Sequence, residues 1–151
     1  MNDLTDNFDK YPPNPAGYKK PPAGFEPHFS SGGFSNHNGP FYQKLDGENS
    51  YRGFYILDRH TNGIGIAHGG LLMTFIDGLL GMTVFRKTRR APLTVRLTTD
   101  FISSAKLGEW VEGKGTVVGA TESEVYVSAE IYVGERTVMT AQGIFKPQRR
   151  R

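Results

Sequence analysis

The sequence predicts an α+β domain in which one long helix packs on a single antiparallel sheet of about five to six strands. Three observations lead there. Leu72, Phe75, Ile76, Leu79 and Thr83 recur at helical spacing, which marks one core-facing stripe. The segments on either side alternate apolar and polar residues over strand-like lengths, separated by turn signals. The chain has 151 residues, which suits one domain, and a domain of that size buries roughly 70% of the surface its unfolded chain exposes.

Taken in order, residues 1–33 form a Pro- and Gly-rich arm, with YPPNPAGYKKPPAGF followed by SSGG. Proline removes backbone donors and glycine raises the cost of ordering, so the arm is expected to be extended or partly disordered. Its aromatic residues, Phe8, Tyr11, Tyr18, Phe25 and Phe29, are the groups through which it would dock on the domain or on a neighbouring subunit. The domain proper is expected over residues 34–146. Phe41 to Leu45 and Tyr51 to Leu57 read as strands around a turn at Asp46-Gly47-Glu48-Asn49. A glycine-rich loop follows, then a helix from about Gly70 to Phe85. Arg86, Lys87, Arg89 and Arg90 suit the negative end of its dipole, and Pro92 stops it.

Leu93 to Ile102 alternates, with Val95, Leu97, Thr99 and Phe101 on one face and Thr94, Arg96, Thr98 and Asp100 on the other. Glu109 to Val118, Glu124 to Val133 and Thr137 to Phe145 complete the sheet, and residues 147–151 are a basic tail. The hydrophobic fraction of 37% is low for a compact core, and the arm accounts for most of the deficit.

The totals exclude several classes of function. The chain has no cysteine, which removes disulfides, thiolate nucleophiles and cysteine zinc sites. The four histidines, His28, His37, His60 and His68, lack metal-site spacing, so no metal is expected. There is no G-x-S-x-G elbow, Walker loop, H-E-x-x-H or Rossmann glycine pattern. A formal charge of +3 permits phosphate-bearing ligands without requiring nucleic acid, and no aromatic platform accompanies the basic residues. MNDLTDNFDKYPPNP has neither the basic nor the apolar run of a secretory signal, and no apolar stretch reads as a membrane span. A cytoplasmic protein is the expectation.

The chemistry concentrates in Asn62-Gly63-Ile64-Gly65-Ile66-Ala67-His68-Gly69-Gly70 and the helix behind it. Gly69 and Gly70 bring bare N–H groups to a helix start, where the dipoles favour negative charge. Asp77 is the only ionisable residue between Gly69 and Phe85. A carboxylate among apolar residues is either a satisfied core group or a general base or nucleophile whose pKa its surroundings raise. His68 is a loop or capping residue, or a hydrogen-bonding group at a site. The glycines either make a tight turn or present the Gly69 N–H to a developing oxyanion. Asn62 is a turn residue or a second donor to substrate. Thr94 is an ordinary strand threonine unless it lies beside Asp77. The Arg86-Lys87-Thr88-Arg89-Arg90 run is a solvated helix end or a landing site for phosphates.

The segment N-x-x-G-x-x-H-G-G, with an Asp nine residues after the His, resembles the PaaI-like acyl-CoA thioesterases of the hotdog-fold superfamily. The likeness continues through Ala91-Pro92-Leu93-Thr94-Val95 and Phe101 to Glu109, and covers about residues 34 to 146. Ser104 stands where many relatives have Pro. The resemblance implies a long helix wrapped by an antiparallel sheet, assembly into dimers and often tetramers, no metal, and no cofactor beyond coenzyme A as part of the substrate. It also implies an active site shared across the dimer interface. Gly69, assisted by Asn62, would polarise the thioester carbonyl, and Asp77 of the other protomer would be base or nucleophile. Thr94 would orient water, His68 would shape the loop, and Gly70 with the basic run would contact substrate.

Two rival readings remain on the same fold. An enoyl-CoA hydratase or dehydratase would place an Asp shortly before a His, whereas here His68 precedes Asp77. A non-catalytic acyl-CoA binding module would bind the ester without releasing thiol. Helix geometry adds one constraint: Gly69 and Asp77 lie about two turns apart, on the order of 11 Å, too far to touch one thioester. One helix therefore carries half a site.

Overall fold

The computed structural model describes Tyr11, residues 17–28 and residues 32–149. Seven strands form one antiparallel sheet: β1 (Glu26–Pro27), β2 (Tyr42–Asp46), β3 (Asn49–Tyr55), β4 (Pro92–Phe101), β5 (Trp110–Ala120), β6 (Val125–Val133) and β7 (Arg136–Pro147). Their order across the sheet is β1-β2-β3-β5-β6-β7-β4. A short helix, α1 (Gly33–Asn38), precedes β2, and the long helix α2 (Gly69–Thr88) separates β3 from β4. The chain leaves β3, crosses the sheet as α2 and returns at the opposite edge as β4. That connection lays the helix over the middle strands.

Leu72, Phe75, Ile76, Leu79, Leu80 and Val84 of α2 meet Phe54, Val111, Val127, Ile131 and Phe145 from the sheet in one continuous core. Each such side chain contributes roughly 1.5–3 kcal/mol when fully buried. The helix approaches closely because β5 is glycine-rich there: a Cβ on Gly115 would overlap the Thr83 hydroxyl. By length and composition α2 could cross a membrane, contrary to the expectation that no such stretch exists. In the fold its apolar residues are instead packed against the sheet.

Three differences from the sequence-based expectation have physical causes. The helix runs one turn past Phe85, because Arg86, Lys87 and Thr88 continue it until Arg89 adopts a left-handed conformation (φ 56°) and donates its N–H to the Phe85 carbonyl at 2.7 Å. The sheet has a seventh strand, since Glu26 and Pro27 of the arm pair with Gln43 and Tyr42. Lastly, β4 does not alternate uniformly. Thr94 pairs with Phe145 and Arg96 with Ile144, so Val95 is a bulge, one extra residue on its strand. The bulge moves Thr94 onto the helix side together with Leu97, Thr99 and Phe101, which pair with the inward-facing Gly143, Ala141 and Met139.

The arm docks on the sheet. Phe25 is buried edge-on against Trp110, with ring centroids 5.1 Å apart. The Tyr55 hydroxyl donates to the Lys20 carbonyl at 3.3 Å. Tyr11 is buried and faces Tyr18 at 5.9 Å. Phe8 and Phe29 lie outside the described residues. The boundary expected at residue 34 falls inside α1.

Candidate active site

The loop before α2 is held by its own backbone. Asn62 exchanges hydrogen bonds with Ile66 and Gly65, and Asn62 Oδ1 accepts from the Ile64 N–H at 3.1 Å and from Ile66 at 3.4 Å. An Asx turn of this kind lets a side chain shape its own loop. It leaves the Asn62 amide N–H2 without a partner among the described residues, so the group's open function is as a donor.

His68 caps α2. Its Nδ1 accepts from the Gly70 N–H at 2.9 Å and its carbonyl accepts from Leu71 and Leu72. A ring that accepts at Nδ1 carries its proton at Nε2, and His68 is exposed. The N–H of Gly70, a residue expected to contact substrate, is thus taken by His68. The Gly69 N–H has no partner among the described residues and sits at the positive end of the α2 dipole. The Phe101 ring lies over Gly69, at 3.3 Å from where a Cβ would be.

Asp77 and Thr94 are brought together. The Thr94 hydroxyl donates to Asp77 Oδ1 at 2.7 Å, a contact that exists only because the Val95 bulge turns Thr94 inward. Asp77 is half-buried rather than buried, and opens on a cleft of about 640 Å³ between α2, the start of β4 and the arm. Met82, Phe85, Pro92 and Phe145 give this cleft apolar walls.

Arg52 also lines the cleft, a residue sequence reasoning missed. It is 4% exposed, stacks on Phe41 with its guanidinium carbon 4.5 Å from the ring centroid, and donates from Nη1 to the Phe75 carbonyl at 3.3 Å. Gly78, next to Asp77, leaves the space that the guanidinium fills. Burial pulls the Arg52 pKa down to about 10, opposed by the charges of Asp77 and then Tyr11, so it stays charged at neutral pH. One signal for it was available: alternation in Tyr51-Arg52-Gly53-Phe54-Tyr55 places Arg52 on the side of Phe54. His28, from the arm, reaches the same cleft, and burial followed by the charge of Arg52 lowers its pKa.

The basic run separates into two pairs. Arg86 donates to the carbonyls of Gly47 at 2.7 Å and Asn49 at 2.8 Å, tying the helix end to the β2–β3 hairpin. Arg90 donates to the carbonyls of Pro147 and Gln148. Both guanidiniums, expected at substrate phosphates, are here engaged with backbone carbonyls. Lys87 and Arg89 remain exposed beside a second cleft of about 480 Å³. Among the described residues, no group of three His, Asp or Glu side chains could hold a metal ion.

The thioesterase superfamily model matches residues 64–140, just over half of the chain. A putative esterase of Pseudomonas aeruginosa, PA0474, is 35% identical over 127 residues, covering 82% of this chain and 95% of that protein. Human acyl-coenzyme A thioesterase 13 is 31% identical over 87 residues, which span 57% of this chain and 62% of that protein. Among solved structures, the PaaI protein of the E. coli phenylacetic acid degradation operon superposes with a TM-score of 0.67 at 17% identity, covering 72% of this chain and 80% of that one. The fold is the hotdog fold that the sequence resemblance implies.

Proposed function

Because the chain belongs to the thioesterase superfamily, we propose that it hydrolyses an acyl-CoA thioester to a free carboxylic acid and coenzyme A, at a site completed by a second copy of the chain. The observation that carries this is the hydrogen-bonded Asp77–Thr94 pair, opening on a cleft beside the unpaired edge of the sheet.

The Gly69 N–H, with the Asn62 amide as a second donor, polarises the thioester carbonyl and receives the charge of the tetrahedral intermediate. The Thr94 hydroxyl donates its hydrogen bond to the Asp77 carboxylate, so its own lone pairs are free to hold a water. Asp77 takes a proton from that water as its oxygen attacks the carbonyl carbon. Collapse breaks the C–S bond, and the proton on Asp77 passes to the departing thiolate. Lys87 and Arg89 are the cations left to meet the coenzyme A phosphates.

What supports the two-copy arrangement is β4. Its start, Thr94, lies on Asp77, and its end, Phe101, lies over Gly69. Among the described residues β4 pairs with β7 alone, and Leu93, Val95 and Phe101, with Ile102 just past its end, stand half exposed. Antiparallel pairing of β4 with its own copy sets the start of each strand against the end of the other, and brings Asp77 of one protomer to Gly69 of its partner. A two-fold contact of this kind is self-complementary. The test is thiol release from acyl-CoA by wild type and Asp77→Asn. Near-wild-type turnover by Asp77→Asn refutes the assignment.

A further inference from the structure

We propose that the substrate's acyl chain ends in a carboxylate, and that Arg52 on the floor of the Asp77 cleft binds it. This rests on the acyl-CoA hydrolase reading above and names the substrate class for the same site. A guanidinium has five N–H donors in a planar fork. Among the described residues, Arg52 uses one, from Nη1 to the Phe75 carbonyl at 3.3 Å. Among the described residues no carboxylate lies within ion-pair distance of it, and the ion pair they form is Arg136–Glu109. Asp77 favours the charge on Arg52 through space but does not touch it.

A cation 4% exposed and without a contacting anion is costly, more so than the rings of Phe41 at 4.5 Å and Phe75 at 5.8 Å offset. The site is also built for it. Gly78 gives the guanidinium its place, and any side chain there would collide with it. The rest of the cleft, Met82, Phe85, Pro92 and Phe145, suits methylene groups. An aliphatic acyl tail ending at Arg52 would take away its remaining water contacts and return no acceptor. A carboxylate would accept two parallel N–H bonds from the fork. Asp77 shares the cleft and repels a second carboxylate placed close to it, so several methylenes should separate the acid terminus from the thioester.

The experiment measures thiol release by the full chain on two length-matched pairs: glutaryl-CoA against pentanoyl-CoA, and adipyl-CoA against hexanoyl-CoA. Wild type is expected to favour the carboxylated member of each pair at least tenfold in kcat/KM. Arg52→Met should reverse that preference, and Arg52→Lys should keep part of it. If wild type handles the neutral esters as well or better, the carboxylate proposal is overturned while the hydrolase reading stands. If neither series releases thiol, the hydrolase reading fails and the proposal fails with it. The wild-type comparison needs no variant, so poor folding of Arg52→Met leaves the proposal open to refutation. A folded Arg52→Met enzyme with an unchanged preference makes Arg52 purely structural and overturns the proposal.

Discussion

The two edges of the sheet are treated in opposite ways. At one, β1 and the docked arm cover β2, while Phe25, Tyr42 and Tyr55 surround Trp110. At the other, β4 offers ten residues paired on one side only, with apolar side chains half exposed and the Asp77–Thr94 pair alongside. An unpaired strand edge invites pairing, and proteins normally blunt it. This chain closes one edge with its arm, which also brings His28 to the Asp77 cleft, and leaves bare the edge that carries Thr94. One edge is sealed by packing, and the other stays open beside the Asp77–Thr94 pair.

The strongest way to break that contrast is at the open edge. Asp77→Asn should lower kcat by about 10²–10⁴, the range for losing a general base, while the melting temperature and oligomeric state stay at wild-type values. A collapse of folding instead would make Asp77 structural. Next is the edge itself: Val95→Asp puts a charge on the bulge, and is expected to yield monomers by light scattering with thiol release down at least tenfold, on the order of 1.4 kcal/mol. Dimers of full activity would show that β4 is not the interface.

On the covered side, His60 offers a pH handle. It is 2% exposed; its Nδ1 accepts from the Leu57 N–H at 3.0 Å, and its Nε2, therefore protonated, donates to the Asn38 carbonyl at 2.7 Å. Burial pushes its pKa down from 6.5 to about 4. The unfolded chain takes up the proton first, so this group's stabilisation is whole above about pH 6.5 and declines as pH falls toward 4. The loss amounts to roughly 3 kcal/mol. Urea midpoints across that range should fall less steeply for His60→Asn than for wild type; parallel slopes would remove His60 as the cause. The smallest effect is expected from Phe25→Ala, which should cost about 2 kcal/mol of unfolding free energy, the burial of one such side chain, with kcat/KM changed less than twofold. A large change in catalysis would place the arm's docking inside the working site.

Most of the fold is legible in the sequence, because apolar periodicity reports on backbone geometry directly. The α2 helix and strands β2 to β7 fall within a few residues of their expected positions. Asn62, His68, Gly69 and Asp77 are legible as a motif, although that Gly70 is taken by His68 depends on a ring orientation no spacing reveals. What escapes depends on neighbours distant in sequence. The Val95 bulge is a count of residues across two paired strands and leaves no mark on one of them. Arg52 acquires its meaning from Gly78, which stands 26 positions later in the chain. Arg86 and Arg90 look like free cations until the carbonyls of the β2–β3 hairpin and the end of β7 are brought to them.

The bulge at Val95 carries one more consequence. Residues 96–101 keep one inside–outside parity, and Thr94 keeps the other only because a residue has been added between them. If the strand ironed the bulge out with Val95 still present, Val95 would take Phe145 as its partner and Thr94 would move on to Lys146 and the outer face, stripping Asp77 of its hydroxyl partner while the sheet stayed whole. Here a one-residue slip in strand register would be a lesion in the chemistry. A variant lacking Val95 closes the ladder without that slip, because Thr94 stays opposite Phe145, and is expected to keep native circular dichroism and turnover.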